Sequence, residues 1–470
     1  MAAFLDIRDL ARINRERKLR LAGWLLTVTV VSLLLFFVKY LNLEYPAYVI
    51  CTVLSLVLFA AELACVFRNS GCHITPLLLF LVAFYLTRNS QFLLVLFGVQ
   101  FDVHHLVTLQ PHLKDAIVLT SVGNIWAGLA GVLVAVPKEQ MCCERGGEAM
   151  SGDTHSRSVL LEAGGLISGV AAYAALIAGA AGADPSAWVM RLSAFFGWLF
   201  IPFGFALTVR YAEDLRGAAS AGALSVYFLL SVFFGDLATG IAGLLVLAFF
   251  FCTLWDRPAG RVRNLRILLT VLLLLAVLSG ISDYLRNPAA FAGKTFGAVL
   301  AGWISNLGNG SFSLLALISI VPGSESAVWG REYASSVLSG LIPVELDPTG
   351  TLSGLTPDAE RLHAWSERYL QKADWEIGFS ADMEGYLNFL WLGFLGVFLL
   401  CLGVSFLLDR YRFYNGRTAF PKYVACVMLW AALTLPGNSS IHLFRMFFWG
   451  VLLMGLIWHG RKTKKEDRLP

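Results

Sequence analysis

Apolar stretches of roughly 17–25 residues, each enough to cross about 30 Å of hydrocarbon as a helix, recur along most of this chain. Few folds are open to such a sequence. Backbone N–H and C=O groups in lipid must be paired within a helix or around a closed barrel. No ten-residue alternation of the barrel kind is present, so the pattern predicts an all-α integral membrane protein. At 57% hydrophobic and 14% charged residues, with a mean hydropathy of +0.69, the chain holds more apolar surface than a water-soluble core needs.

About twelve transmembrane helices are expected: Leu21 to Val38, Ala47 to Phe67, Pro76 to Phe97, Ala116 to Val136, Val159 to Ala181, Trp188 to Val209, Ala218 to Gly235, Leu237 to Trp255, Ile267 to Ser282, Tyr386 to Leu408, Tyr423 to Pro436 and Ile441 to Trp458. The third carries the polar patch Arg88-Asn89-Ser90-Gln91 and the eleventh is short, which makes these the weakest spans by composition. The first twenty residues hold Arg8, Arg12, Arg15, Arg17, Lys18 and Arg20 and run into the first span without a small-residue cleavage site, which reads as an anchor.

Retained basic residues mark the cytoplasmic side. They gather here on alternate connections, among them Arg257 to Arg266, Arg410 to Lys422 and Arg461 to Arg468, whereas the short outer connections hold only Lys39, Lys114 and Arg191. Both termini are therefore expected in the cytoplasm. The resulting organisation is a basic cytoplasmic N-terminus (1–20), a nine-helix region (21–282), an outer-face loop with interfacial helices (283–385), three C-terminal spans (386–458) and a basic cytoplasmic tail (459–470).

A net charge of +4 arises from these boundary clusters and gives no reason to expect nucleic acid as a partner. The eight cysteines avoid the stretch from Tyr284 to Gly385, so no disulfide framework braces the outer loop. Cys142 and Cys143 are adjacent but lack metal-ligand spacing, and no metal or cofactor is expected.

The outer loop spans about a hundred residues, a length that calls for folded structure and function. Its first third, Ala289 to Pro322, reads as interfacial or re-entrant helix; its middle holds Glu325, Arg331, Glu332 and Tyr333; an amphipathic helix is expected from Pro357 through His363, Glu367 and Arg368. The loop returns to the membrane through a segment in which Asp382, Tyr386 and Phe389 are spaced i, i+4, i+7 and Glu384 and Asn388 are spaced i, i+4. As a helix it would carry a carboxylate, a phenol and an amide near the outer interface.

That segment contains Gly378, Phe379, Ser380, Glu384, Tyr386, Asn388 and Phe389 in one string, followed by Gly393 and Gly396. Upstream lie Ile320-Val321-Pro322 and Gly330, and Arg445 opens the last span. Together they resemble the Wzy-type oligosaccharide repeat-unit polymerases, also called O-antigen polymerases, over roughly the final third of the chain. One departure stands out: an arginine often follows the glycine closing a mid-chain span in that family, whereas Gly235 here precedes Asp236.

The resemblance implies a metal-independent glycosyltransferase in the bacterial inner membrane. It would take undecaprenyl-pyrophosphate-linked oligosaccharides as substrates and a chain-length regulator as a further protein partner. The growing glycan would pass from one lipid pyrophosphate to a sugar hydroxyl of another repeat unit. Two alternatives remain: a flippase or exporter of lipid-linked sugars, and an O-antigen ligase, for which a His-Asn pair is expected where His363 precedes alanine.

Pyrophosphate suits the planar arginine fork, which pairs bidentately and stays charged. Arg445, Arg331 and Arg88 are the candidates, although arginines also snorkel from helix ends or sit idle on loops. Arg88 falls near mid-membrane, where an ionisable group costs at least ~2.5 kcal/mol unless paired or hydrated. For the base, the resemblance favours Glu384, with Asp382 and Glu332 as alternatives; a carboxylate in the first turn of a helix is equally explained by the macrodipole. Ser380, Tyr386, Asn388 and His363 complete the expected substrate contacts.

Overall fold

The computed structural model describes residues 7–40, 44–70, 74–96, 110–135, 159–182, 188–212, 214–253, 261–286, 295, 297, 309–342, 365, 368, 380–410, 419–435 and 440–459. Among the described residues nine helices come first: α1 (Ile7–Val38), α2 (Glu44–Asn69), α3 (Pro76–Leu96), α4 (Gln110–Val134), α5 (Val159–Ala180), α6 (Trp188–Arg210), α7 (Leu215–Phe234), α8 (Leu237–Thr253) and α9 (Arg261–Arg286). Among the described residues of the expected outer loop follow α10 (Asn309–Ile320) and α11 (Arg331–Leu341). The remainder comprises α12 (Ala381–Phe389), α13 (Gly393–Arg410), α14 (Ala419–Thr434), α15 (Ile441–Arg445), a π-helical stretch (Met446–Leu453) and α16 (Met454–His459).

Among the described residues seven helical segments are long and apolar enough to cross a membrane: Glu16–Val38, Val49–Asn69, Pro111–Val134, Val159–Ala180, Leu215–Phe234, Ala381–Asp409 and Ile441–Trp458. Five shorter apolar stretches occupy Pro76–Ser90, Phe195–Arg210, Leu237–Phe251, Leu273–Ser282 and Ala419–Thr434.

Burial sorts the helices into an inner and an outer set. α4 and α14 are enclosed, with every described side chain from Tyr423 to Ala432 buried. Around them, α1, α5 and α9 turn Leu26, Leu33, Leu166, Ile167, Leu273 and Leu274 outward. Large aliphatic side chains exposed in such continuous faces suit lipid rather than water. Several hydroxyls inside the helices bond back to the preceding turn, as Ser32 does to Val28 O (2.7 Å) and Ser231 to Tyr227 O (2.9 Å), which satisfies them without water. At a helix mouth, Asp236 accepts from the Ala238 N–H (3.1 Å), the Thr239 N–H (3.0 Å) and the Thr239 hydroxyl (2.6 Å), and so caps α8.

α10 packs against α3, α4 and α12 with Leu314, Leu315, Leu317 and Ile318 all buried, so it lies inside the helix assembly. One feature differs from the sequence reading. The tenth expected span is not one straight helix from Tyr386. It starts at Ala381, breaks at Leu390, whose φ is 51°, passes through a 3-10 turn (Leu390–Leu392) and resumes as α13. The cause is a close crossing: a Cβ added at Gly385 would come within 2.6 Å of the Gly393 carbonyl oxygen. Backbone cannot yield as a side-chain tip can. Gly385→Ala should therefore lower stability by about 1–3 kcal/mol, the usual range for overpacking, seen as a reduced midpoint of thermal unfolding in detergent; an unchanged midpoint would mean that the crossing relaxes freely.

Candidate functional site

The break at Leu390 leaves α12 as a short, almost wholly buried helix with elements packed on all sides. Its start is set by Ser380, in extended conformation, whose hydroxyl accepts from the Met383 N–H (3.3 Å). From there its acidic side chains diverge. Asp382 and Glu384 are two residues apart, about 200° around the helix, and so address opposite faces.

Asp382 faces α3 and α4. The Arg88 guanidinium binds both its carboxylate oxygens through Nε and Nη2, with Arg88 3% and Asp382 10% exposed. Gly123 of α4 makes room for the pair: a Cβ there would meet Arg88 and lie 3.3 Å from Asp382 Oδ1. The Phe84 ring lies 4.6 Å from the guanidinium carbon. The polar patch of the third span is thus continuous helix, with Arg88, Asn89 and Ser90 all buried.

Glu384 faces α11 and α15. One oxygen accepts from Ser336 Oγ (2.8 Å) and Ser440 Oγ (2.7 Å), the other from the Ser440 backbone N–H (2.9 Å). Three donors on a fully buried carboxylate make it a clamp that joins the loop helix to the start of the last span. Five residues past Ser440 stands Arg445, 8% exposed, its guanidinium 5.2 Å from the Trp198 ring of α6. Gly340 lies flush on that segment, and its carbonyl accepts from Trp449 Nε1 (3.1 Å). Arg445 also closes α15, immediately before the π-helical stretch, a feature frequent at functional sites.

The remaining candidates divide. Asn388 accepts the Glu332 N–H on Oδ1 (3.1 Å) and donates to the Glu384 carbonyl (2.6 Å), so it caps α11 and braces α12. Tyr386 donates its hydroxyl to the Val321 carbonyl (3.0 Å) and anchors α10. Glu332 is buried in the first turn of α11, and Arg331 beside it is exposed. Gly330 (φ 88°) and Trp329 (φ 47°, 72% exposed) form the tight approach to that helix. His363 lies outside the described residues. Of the helix expected around it, Trp365 is buried with α10, and Arg368 is 3.9 Å from Glu325.

Tyr333 was noted in the loop without a role. Its ring stacks on Phe389 (centroids 6.0 Å apart, 27° between planes), and burial, with Glu384 and Asp382 nearby, pushes its phenol well above its ordinary range. Ser336, Gly340, Ser440 and Trp198 carried no functional signal in the sequence. For Ser440 a trace existed, since serine just before a helix reads as a cap; here it serves Glu384 instead. Among the described residues no three His, Cys, Asp or Glu side chains gather as metal ligands would.

Many apolar helices around a buried arginine–carboxylate pair and a buried carboxylate clamp, one on either face of a broken helix, define a multi-pass membrane protein with polar chemistry enclosed at a helix mouth. A family model described as O-antigen polysaccharide polymerase Wzy matches residues 197–466, more than half of the chain and including α12, Ser440 and Arg445. The chain belongs to that family, in agreement with the resemblance carried by the Gly378 to Phe389 string. Comparison with curated proteins and with solved structures finds no match.

Proposed function

We propose that this polymerase joins undecaprenyl-pyrophosphate-linked oligosaccharide repeat units at the outer face of the bacterial inner membrane, with α12 as the centre of a metal-independent site. The observation that carries this reading is the placement of two buried arginines on the two sides of that helix: Arg88 is paired with Asp382, and Arg445 follows the segment held by Glu384. The seven long spans and five shorter apolar helices support a twelve-span arrangement, and the alternation of basic connections supports cytoplasmic termini with residues 283–385 as the outer loop. A chain-length regulator is the protein partner this reading implies.

In the resting state Arg88 neutralises Asp382. An arriving pyrophosphate competes for the guanidinium fork, since phosphate matches it as well as carboxylate does. Asp382, released, accepts the proton of the attacking sugar hydroxyl as the glycosidic bond forms. The bond between the anomeric carbon and the phosphate oxygen breaks, and lipid pyrophosphate leaves with the electron pair, its charge stabilised by arginine in a site of low dielectric. Glu384 holds the loop helix and Arg445 in register, and Arg331 at the exposed edge meets the incoming substrate.

The test uses protein in detergent or liposomes with a cognate lipid-pyrophosphate-linked repeat unit, the products being resolved by length. Wild type gives a ladder of longer lipid-linked glycans; Arg445→Ala, folded to the same melting temperature, gives at least about 100-fold less, as for loss of one transition-state donor, and Arg445→Lys restores only part. Transport of the lipid-linked sugar across liposomes with no elongation would replace the polymerase reading by an exporter.

A further inference from the structure

α2, α3 and α4 precede the matched segment 197–466 and enclose a second ionisable site. Glu62 of α2 is 0% exposed, and among the described residues neither of its carboxylate oxygens has a hydrogen-bond partner. It sits seven residues before the end of α2, about 10 Å along the axis at 1.5 Å per residue. Gly128 of α4 is what admits it: a Cβ there would collide with the carboxylate and lie 2.9 Å from the Phe59 ring. An isolated ion at such a position is costly, and intramembrane ionisable groups mark proton or ion routes.

The surroundings of Glu62 are polar without being charged. Asn124, also 0% exposed, has neither amide atom paired among the described residues. It follows Gly123, which touches Arg88, and lies one turn from Gly128, which touches Glu62, so its side chain falls between the two on the α4 surface. Ser121 and Thr120 are buried on the same helix without hydroxyl partners among the described residues. The titratable groups around Glu62 are the Tyr85 phenol of α3, stacked on Phe59 at 4.5 Å, and the Cys65 thiol one turn along α2. Arg20 of α1 and Arg68 act on Cys65. α4 adds only neutral groups there.

We propose that Glu62 is an intramembrane proton-binding site, and that Asn124 is the polar link from it to the Arg88–Asp382 pair, by which its proton occupancy tunes that pair. The link to activity rests on the polymerase reading; the proton site does not. Dicyclohexylcarbodiimide, which adds across the O–H of a protonated carboxyl in a lipid phase without a leaving group, is the probe. In full-length protein in liposomes at neutral pH, mass spectrometry should find the adduct on Glu62 at least tenfold above that on the arginine-paired Asp382. Labelling should fall as pH rises and vanish in Glu62→Gln, a near-isostere. Absence of the adduct on a recovered Glu62 peptide overturns the proton site, and protection by sodium at constant pH replaces it with a cation site. In the elongation assay Glu62→Gln should shift the pH profile of chain extension. An unshifted profile with labelling intact overturns the link alone, and absence of elongation in labelled wild type overturns the polymerase reading and leaves the proton site standing.

Discussion

Asp382→Asn is expected to reduce chain extension by about 10²–10⁴-fold, the span associated with loss of a general base, while the protein still binds lipid-linked repeat units. Asparagine keeps the shape and one acceptor oxygen for Arg88 but cannot take the hydroxyl proton. It also removes the anion that competes with pyrophosphate for the guanidinium, so substrate retention in a binding assay should be equal or tighter. A structural salt bridge predicts a different outcome. Removing one partner of a buried pair typically costs about 3–5 kcal/mol, so binding, extension and melting temperature would fall together, and Arg88→Met combined with Asp382→Asn would restore all three. In the swap mechanism the double variant recovers stability and stays inactive. Full extension by a well-folded Asp382→Asn protein would remove Asp382 from the chemistry.

The second large effect concerns Glu384 and is one of stability first. Glu384→Ala leaves the Ser336 hydroxyl, the Ser440 hydroxyl and the Ser440 N–H without their acceptor. A buried donor left unsatisfied costs about 1–3 kcal/mol, and three in one place take a large share of the about 5–15 kcal/mol by which most domains are stable. The expected result is a marked drop in melting temperature in detergent together with faster proteolytic cleavage in the loop preceding α12. Ser336→Ala, which removes one donor and leaves the other two paired, should cost far less. Were Glu384 the proton acceptor, Glu384→Gln would melt as wild type and fail only in extension. The clamp predicts that melting temperature and extension decline in parallel, because the amide presents its own donors to hydroxyls that need an acceptor.

The sequence carried the class of fold in its apolar runs, and the residues of the resemblance fall within the segment that the family model matches. Periodicity tells which residues of a helix share a face, however, and not what that face meets. The resemblance favours Glu384 as base with Asp382 and Glu332 as alternatives, and the sequence does not separate them; the partners of the first two, Arg88 nearly three hundred residues upstream and Ser440 beyond the next two helices, are set by packing that no local window records. Ser380, Tyr386 and Asn388, expected as sugar contacts, have internal partners that the sequence likewise does not show: the Met383 N–H, the Val321 carbonyl and the Glu332 N–H. Arg88 was legible for a physical reason: a charge at mid-span is too costly to be incidental.

The π-helical stretch from Met446 to Leu453 gives the last span an unusual sensitivity to counting. Each residue added to or removed from a helix turns everything beyond it by about 100°. Arg445 lies on one side of the wide turn, while Trp458, stacked on Tyr423, moors the other. Rewinding the same eight residues into a regular α-helix would leave every side chain present and swing the guanidinium off Trp198. The aim of Arg445 is therefore written in the winding of the segment behind it, and exchange of the apolar side chains there should be tolerated wherever the wide turn is kept.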